Sequence, residues 1–193
     1  ALRRYVHSAL LFLDNRSYSL REMMIRDAVI ALFLVACVSQ SAFARQAQYR
    51  HLSVDDGLSQ NTVYDMLEDE HGFLWFATQD GLNRYTGYGF DVFNHDPSDS
   101  TSISNGWVTS ILEDVDGDLW IGTHGGGLNH LDRATGVFHH FKYSDGDSLS
   151  LPDDIVTDLE FDGEGHLWVS TYSGLARWSG TEFVGFSRAS YAV

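Results

Sequence analysis

The chain has 193 residues, 12 of them basic and 27 acidic, for a formal net charge of −15. The imbalance is local: residues 1–50 hold 7 basic and 3 acidic side chains, whereas residues 51–193 hold 5 and 24. An acidic body of this kind repels phosphate backbones, which excludes nucleic acid as a partner.

In chain order, residues 1–22 read as a non-native upstream extension, because Met23 or Met24 is the natural start. Residues 23–44 read as a secretory signal peptide. Arg26 supplies the positive start, Ala28–Val38 is an apolar run of 11 residues, and Ala42-Phe43-Ala44 is a small-x-small cleavage site. An apolar run of that length is too short for the roughly 20 residues of a membrane-spanning helix. Cys37, the only cysteine, closes "LVAC", which also fits a lipoprotein processing box. Cleavage after Ala44 is the favoured reading. Either way export is expected, and the mature part must be held by its core rather than by disulfides.

Residues 45–193 are built on a repeat. "NTVYDMLEDEHGFLWFATQDGLNRY" from Asn61, "GWVTSILEDVDGDLWIGTHGGGLNHL" from Gly106 and "DIVTDLEFDGEGHLWVSTYSGLARW" from Asp154 align. A Val stands 12 residues before each Trp: Val63 before Trp75, Val108 before Trp120 and Val156 before Trp168. An Asp stands six before (Asp69, Asp114, Asp162), a Gly three before (Gly72, Gly117, Gly165) and a Thr three after (Thr78, Thr123, Thr171). Gly-Leu follows at 81–82, 127–128 and 174–175.

Within the first copy, Val63–Glu68, Phe73–Thr78, Leu82–Tyr85 and Phe90–Phe93 are predicted strands, since they are rich in aromatic and β-branched residues and are separated by glycine turns. Four short strands in about 45 residues, repeated, predict an all-β fold of β-propeller blades with four antiparallel strands each. About three blades of an incomplete ring are expected, over residues 61–93, 106–141 and 154–186, with Tyr49–Leu52 as a closing strand. The repeated tryptophans are expected to pack between blades.

Several stretches imitate active chemistry. Asp114, Asp116 and Asp118 alternate like calcium ligands, but an EF-hand loop needs Gly and Glu where Leu119 and Gly125 stand. The Asp recurs in the same turn of every copy, so no metal is expected. "HGGG" (124–127) resembles a hydrolase oxyanion loop, yet the other copies carry "QDG" and "YSG" there, and no G-x-S-x-G elbow accompanies it. "GDSL" (146–149) falls in the connector between copies, where Ser148 aligns with Ser100. His139 and His140 are adjacent on a strand and point to opposite faces. No catalytic residue and no cofactor are expected.

These repeats, with the connectors "DPSDSTSISNGWV" and "SDGDSLSLPDDIV" and the stretch "YRHLSVDDGLSQNTV", closely resemble the two-component regulator propeller repeat, from Tyr49 to about Phe186. The third copy departs at Ala176 and Arg177, where the others begin with Asn. The resemblance implies a periplasmic sensor region at the N-terminus of a membrane receptor, a histidine kinase or a diguanylate cyclase anchored in the inner membrane. The chain is then expected to be an N-terminal fragment whose partners are its missing C-terminal blades and receptor domains, a small-molecule or oligosaccharide ligand, and a second receptor copy in a dimer. A secreted propeller that binds glycan or protein without signalling is the alternative, and a propeller lyase or glycosidase is a third reading. Loops at one end of the blades carry the candidate ligand contacts Gln79, Asp80, Trp107, His124 and Tyr172.

Overall fold

The computed structural model describes residues 24–25 and 49–186. The chain divides into two units, Ala1–Arg50 and His51–Val193, and every strand among the described residues lies in the second. The expected upstream extension and signal peptide, including Cys37, lie outside the described residues, Met24 and Ile25 aside. Tyr49–Leu52, expected as a closing strand, pairs with no strand among the described residues. It leads into a 3-10 turn, Val54–Asp56, whose capping box joins Ser53 and Asp56.

Among the described residues, twelve strands form three four-stranded antiparallel sheets, so the fold is all-β with propeller blades. Blade 1 is β1 (Val63–Glu68), β2 (Leu74–Thr78), β3 (Gly81–Tyr85) and β4 (Phe90–Phe93). Blade 2 is β5 (Val108–Glu113), β6 (Leu119–Thr123), β7 (Leu128–Asp132) and β8 (Val137–Phe141). Blade 3 is β9 (Val156–Phe161), β10 (Leu167–Thr171), β11 (Gly174–Trp178) and β12 (Phe183–Phe186). β2 begins at Leu74 rather than Phe73, because the Phe73 amide and carbonyl are both spent on Asp69 in the preceding turn.

Each recurrent residue has a bonding reason. In the turn between first and second strands, one carboxylate oxygen of the Asp accepts two backbone amides: His71 and Phe73 at Asp69, Asp116 and Asp118 at Asp114, Glu164 and His166 at Asp162. The other oxygen accepts the indole N–H of the Trp six residues on, at 2.8 Å for Trp75, 3.2 Å for Trp120 and 2.9 Å for Trp168. Gly72, Gly117 and Gly165 close these turns with φ near +80°, where a β-carbon is strained. The Thr hydroxyl donates to the carbonyl of the Gly at the entry to the third strand (Gly81, Gly127 or Gly174), at 2.8 Å in all three blades.

The departure at Ala176 is also explained. Buried Asn83 accepts the Ser59 amide and donates to its hydroxyl, and Asn129 does the same with Ser104. Each Asn thereby pins the connector that enters its own blade. In the third copy that connector position is Pro152, which has no N–H to donate, and the facing residue is the fully buried Ala176.

The core lies in the seams between blades. Trp75, Ala77 and Leu82 of blade 1 pack with Val108, Ile111, Leu119, Ile121, Leu131 and Phe138 of blade 2. Trp120 and Leu128 of blade 2 pack with Val156, Leu159, Leu167, Val169, Ala176 and Phe183 of blade 3. A fully buried side chain of this size contributes about 1.5–3 kcal/mol. Trp75 and Trp120 are therefore seam residues. Trp168 occupies the same register on the outer flank of blade 3, is half-buried, and meets Phe186 at 5.3 Å. The two outer flanks are open by comparison: Leu175 is 38% exposed where Leu82 and Leu128 are 0%, and Met66 is 67% exposed where Ile111 is 5%.

Candidate functional site

Antiparallel four-strand blades put the connectors and the turns between second and third strands at one end, and the Asp turns at the other. Backbone bonds stitch the first end together: Gly81 N–H to the Gly106 carbonyl at 2.6 Å, and Gly125 and Gly127 N–H to the Asp154 carbonyl at 3.0 and 2.9 Å. "HGGG" is part of this stitching. Gly127 has φ of +79°, and a β-carbon there would run into the Phe141 carbonyl. A β-carbon at Gly126 would meet Asn105 and Ser104 side chains at 2.6 Å. The connectors are themselves tied by serine: Ser102 Oγ donates to the Asp96 and Asp99 carbonyls, and Ser150 Oγ to those of Ser144 and Asp147. The "GDSL" stretch is one half of this knot.

All five candidate ligand contacts lie at this end, but they do not form one cluster. Trp107 and His124 stack with ring centroids 4.2 Å apart and planes 14° apart, and the His124 amide donates to the Trp107 carbonyl. The indole N–H of Trp107 is buried without a partner. Gln79 is exposed and accepts from Gln60 Nε2 at 3.4 Å. Asp80 is exposed beside Gly106, its amide held by Thr78 Oγ1. Tyr172 is exposed on blade 3, where its amide donates to the Ile155 carbonyl, the counterpart within blade 3 of the His124–Trp107 bond within blade 2.

Two residues with a part in this architecture escaped the sequence reading. Tyr64 lies on β1 with its ring 5.9 Å from that of Trp107. Arg133, at the opposite end, joins blade 2 to blade 1: Nη2 donates to Asp69 Oδ2 at 2.7 Å, and Nη1 to Glu113 Oε1 at 2.9 Å and to the Gly117 carbonyl at 3.0 Å. Glu113 also accepts the Glu70 amide across the same seam. Burial pushes the Asp69 carboxyl up, but the Trp75 indole, the Phe73 amide, the Arg133 guanidinium and the His71 amide outweigh it and hold the group below the ordinary carboxylate range. The indole of Trp168 is the main cause of a further lowering at Asp162.

Among the described residues, Asp69, His71 and Glu113 bring ligand atoms within 4.8 Å of one another. The Arg133 guanidinium already supplies the cation at that place, 3.5 Å from His71 Nδ1. Asp114 meanwhile spends its carboxylate on the amides of Asp116 and Asp118 and on Trp120, with His130 Nε2 at 3.2 Å. Neither excess calcium nor a chelator should therefore shift the melting temperature, because an ion bound to the folded state stabilises it by mass action. A calcium-dependent rise in a thermal scan would overturn this reading.

Four-stranded antiparallel blades joined from the outermost strand of one to the innermost strand of the next define a β-propeller module. The two component regulator propeller description matches residues 57–80, 102–125 and 150–173, and the chain thus carries three repeats of the two-component regulator propeller family. Over 75 residues it is 39% identical to Histidine kinase P4 of Formosa agariphila, covering 39% of the chain and 6% of that protein. The extracellular domain of the hybrid two component system BT3049 from B. thetaiotaomicron superimposes with a TM-score of 0.68 at 31% identity, over 72% of this chain and 20% of that one. The corresponding domain of BT4673 from the same organism gives 0.54 at 26% identity, over 64% and 18%. The chain thus spans a fifth or less of the length of each of these relatives.

Proposed function

We propose that the chain is the ligand-sensing propeller module of a membrane signalling receptor of the two-component type, with its output domain elsewhere in the parent protein. The observation that carries this reading is the 31% identity and common fold with the extracellular domain of a hybrid two-component system. A histidine kinase output is favoured over a cyclase by the 39% identity to a histidine kinase. Export through residues 23–44 puts the propeller in the periplasm and the parent in the inner membrane. The gene's full reading frame tests the reading: a membrane helix followed by a kinase domain supports it, and a stop codon soon after the last blade sinks it.

The ligand in this reading is a neutral oligosaccharide. The acidic surface disfavours polyanions. Exposed rings and polar loop groups at the connector end suit sugar rings. Isothermal titration of the parent's complete periplasmic region is expected to detect neutral members of an oligosaccharide panel. Replacing Trp107, His124 and Tyr172 together by Ala should abolish that binding. Binding of acidic members alone, or undiminished binding by the triple variant, would refute the assignment.

A further inference from the structure

The first strand of every blade carries a β-bulge at the same place. Pairing slips between Val63 and Asp65 in β1, between Val108 and Ser110 in β5, and opposite Ser170 and Thr171 in β9. The extra residues are Tyr64, Thr109 and Thr157. A bulge re-aims the side chain it carries, and bulges concentrate near functional sites. At this position Thr109 reaches the next blade, donating to the Val156 carbonyl at 2.8 Å. Tyr64 reaches the next blade too, but with a ring, which meets Trp107 at 5.9 Å and a tilt of 37°.

Trp107 is therefore the middle member of a row of three rings. His124 stacks on it at 4.2 Å, and Tyr64 lies at its other contact. The indole itself is half-buried and its N–H is enclosed without a partner, whereas His124 is exposed and Tyr64 is 46% exposed. Surfaces open to a ligand are thus on the two outer rings, and those rings belong to different blades.

We infer that Tyr64 and His124 are the ring contacts of the sensing site, that Trp107 is a positioning residue holding them apart, and that the bound ligand straddles the seam between blades 1 and 2. The inference rests on the neutral-oligosaccharide reading above and sharpens it: the ligand presents at least two successive flat apolar faces, as consecutive sugar rings do. A seam-spanning ligand also couples binding to the angle between two blades, which is the kind of change a sensor can pass on.

The test titrates the parent's complete periplasmic region with laminari-, cello- and xylo-oligosaccharides as neutral probes and an alginate oligosaccharide as the acidic one. For the tightest neutral probe, Tyr64→Ala and His124→Ala should each weaken binding about tenfold, the size of one lost aromatic contact. Trp107→Phe, which keeps a central ring, should stay within about threefold, while Trp107→Ala should lose as much as both outer variants. Tyr88→Ala, at the opposite end, should bind like the parent protein. Tyr64→Leu fills the same space without a ring and replaces Tyr64→Ala should that variant fail to fold. Binding by wild type that survives loss of the Tyr64 ring overturns the inference alone. Absence of binding to every neutral probe overturns the oligosaccharide reading and the inference with it.

Discussion

Trp120→Ala should destabilise the propeller by about 3–5 kcal/mol, the range for truncating a large core aromatic. The side chain is 6% exposed and sits where blades 2 and 3 meet. Its ring lies 4.3 Å from that of His130, 5.6 Å from Phe141 and 5.9 Å from Trp178, and its N–H donates to Asp114. Truncation leaves a void the rigid sheets cannot close and strips Asp114 of a donor. Chemical denaturation of the parent's repeat region reads the loss as a lower midpoint at unchanged slope. An unchanged midpoint would remove Trp120 from the core.

Asp69→Ala should cost about as much, 3–5 kcal/mol, because it breaks a buried ion pair by deleting one partner. The Asp69 side chain is 0% exposed and its two oxygens accept the His71 and Phe73 amides, the Trp75 indole and the Arg133 guanidinium. Deletion orphans three of these donors and leaves the guanidinium with Glu113 and the Gly117 carbonyl. The same carboxylate sets a pH response. Its folded-state pKa is lowered, so the unfolded chain takes up the proton more readily. The stabilisation is complete above the ordinary carboxylate value of about 3.9 and fades as pH falls through the folded value below it. In Asp69→Asn this part of the acid sensitivity should vanish, flattening the fall of melting temperature below about pH 4. A variant that loses stability in acid as steeply as the parent would place the sensitivity elsewhere, at Asp162 first of all.

The blades were readable in the sequence because each bonds within itself. Asp69 and Trp75 are six residues apart, Thr78 and Gly81 three, and each such pair recurs at fixed spacing, so three copies report one geometry. The turn roles of Asp114 and of "HGGG" followed from the same repetition. What bonds across a seam was not readable. Arg133 finds Asp69 from 64 residues away and has no counterpart in the other copies, where Gly87 and Gly180 stand. Tyr64 shares its position with two threonines, and no alternation in "VYDMLE" announces that the register slips there. Of the candidate contacts, Trp107 and His124 adjoin because they flank the β5–β6 hairpin one step beyond the Val108–Thr123 pair, as Ile155 and Tyr172 do in blade 3, so that proximity follows from the repeat itself.

Arg133 makes the seams unequal. A stack of repeats behaves as a one-dimensional chain whose stability is a sum of unit and nearest-neighbour energies. Blades 1 and 2 are joined by apolar burial plus the Arg133 bridge, whereas among the described residues no ion pair joins blades 2 and 3, and Gly180 stands where an arginine would. Thermal opening is then directional: amide exchange with solvent should be slowest in β5 and β6, and fraying should enter by the glycine-marked seam. Motion starting there would reach the ring row last, so the arginine at one end of the seam keeps the aromatic end in register during partial opening.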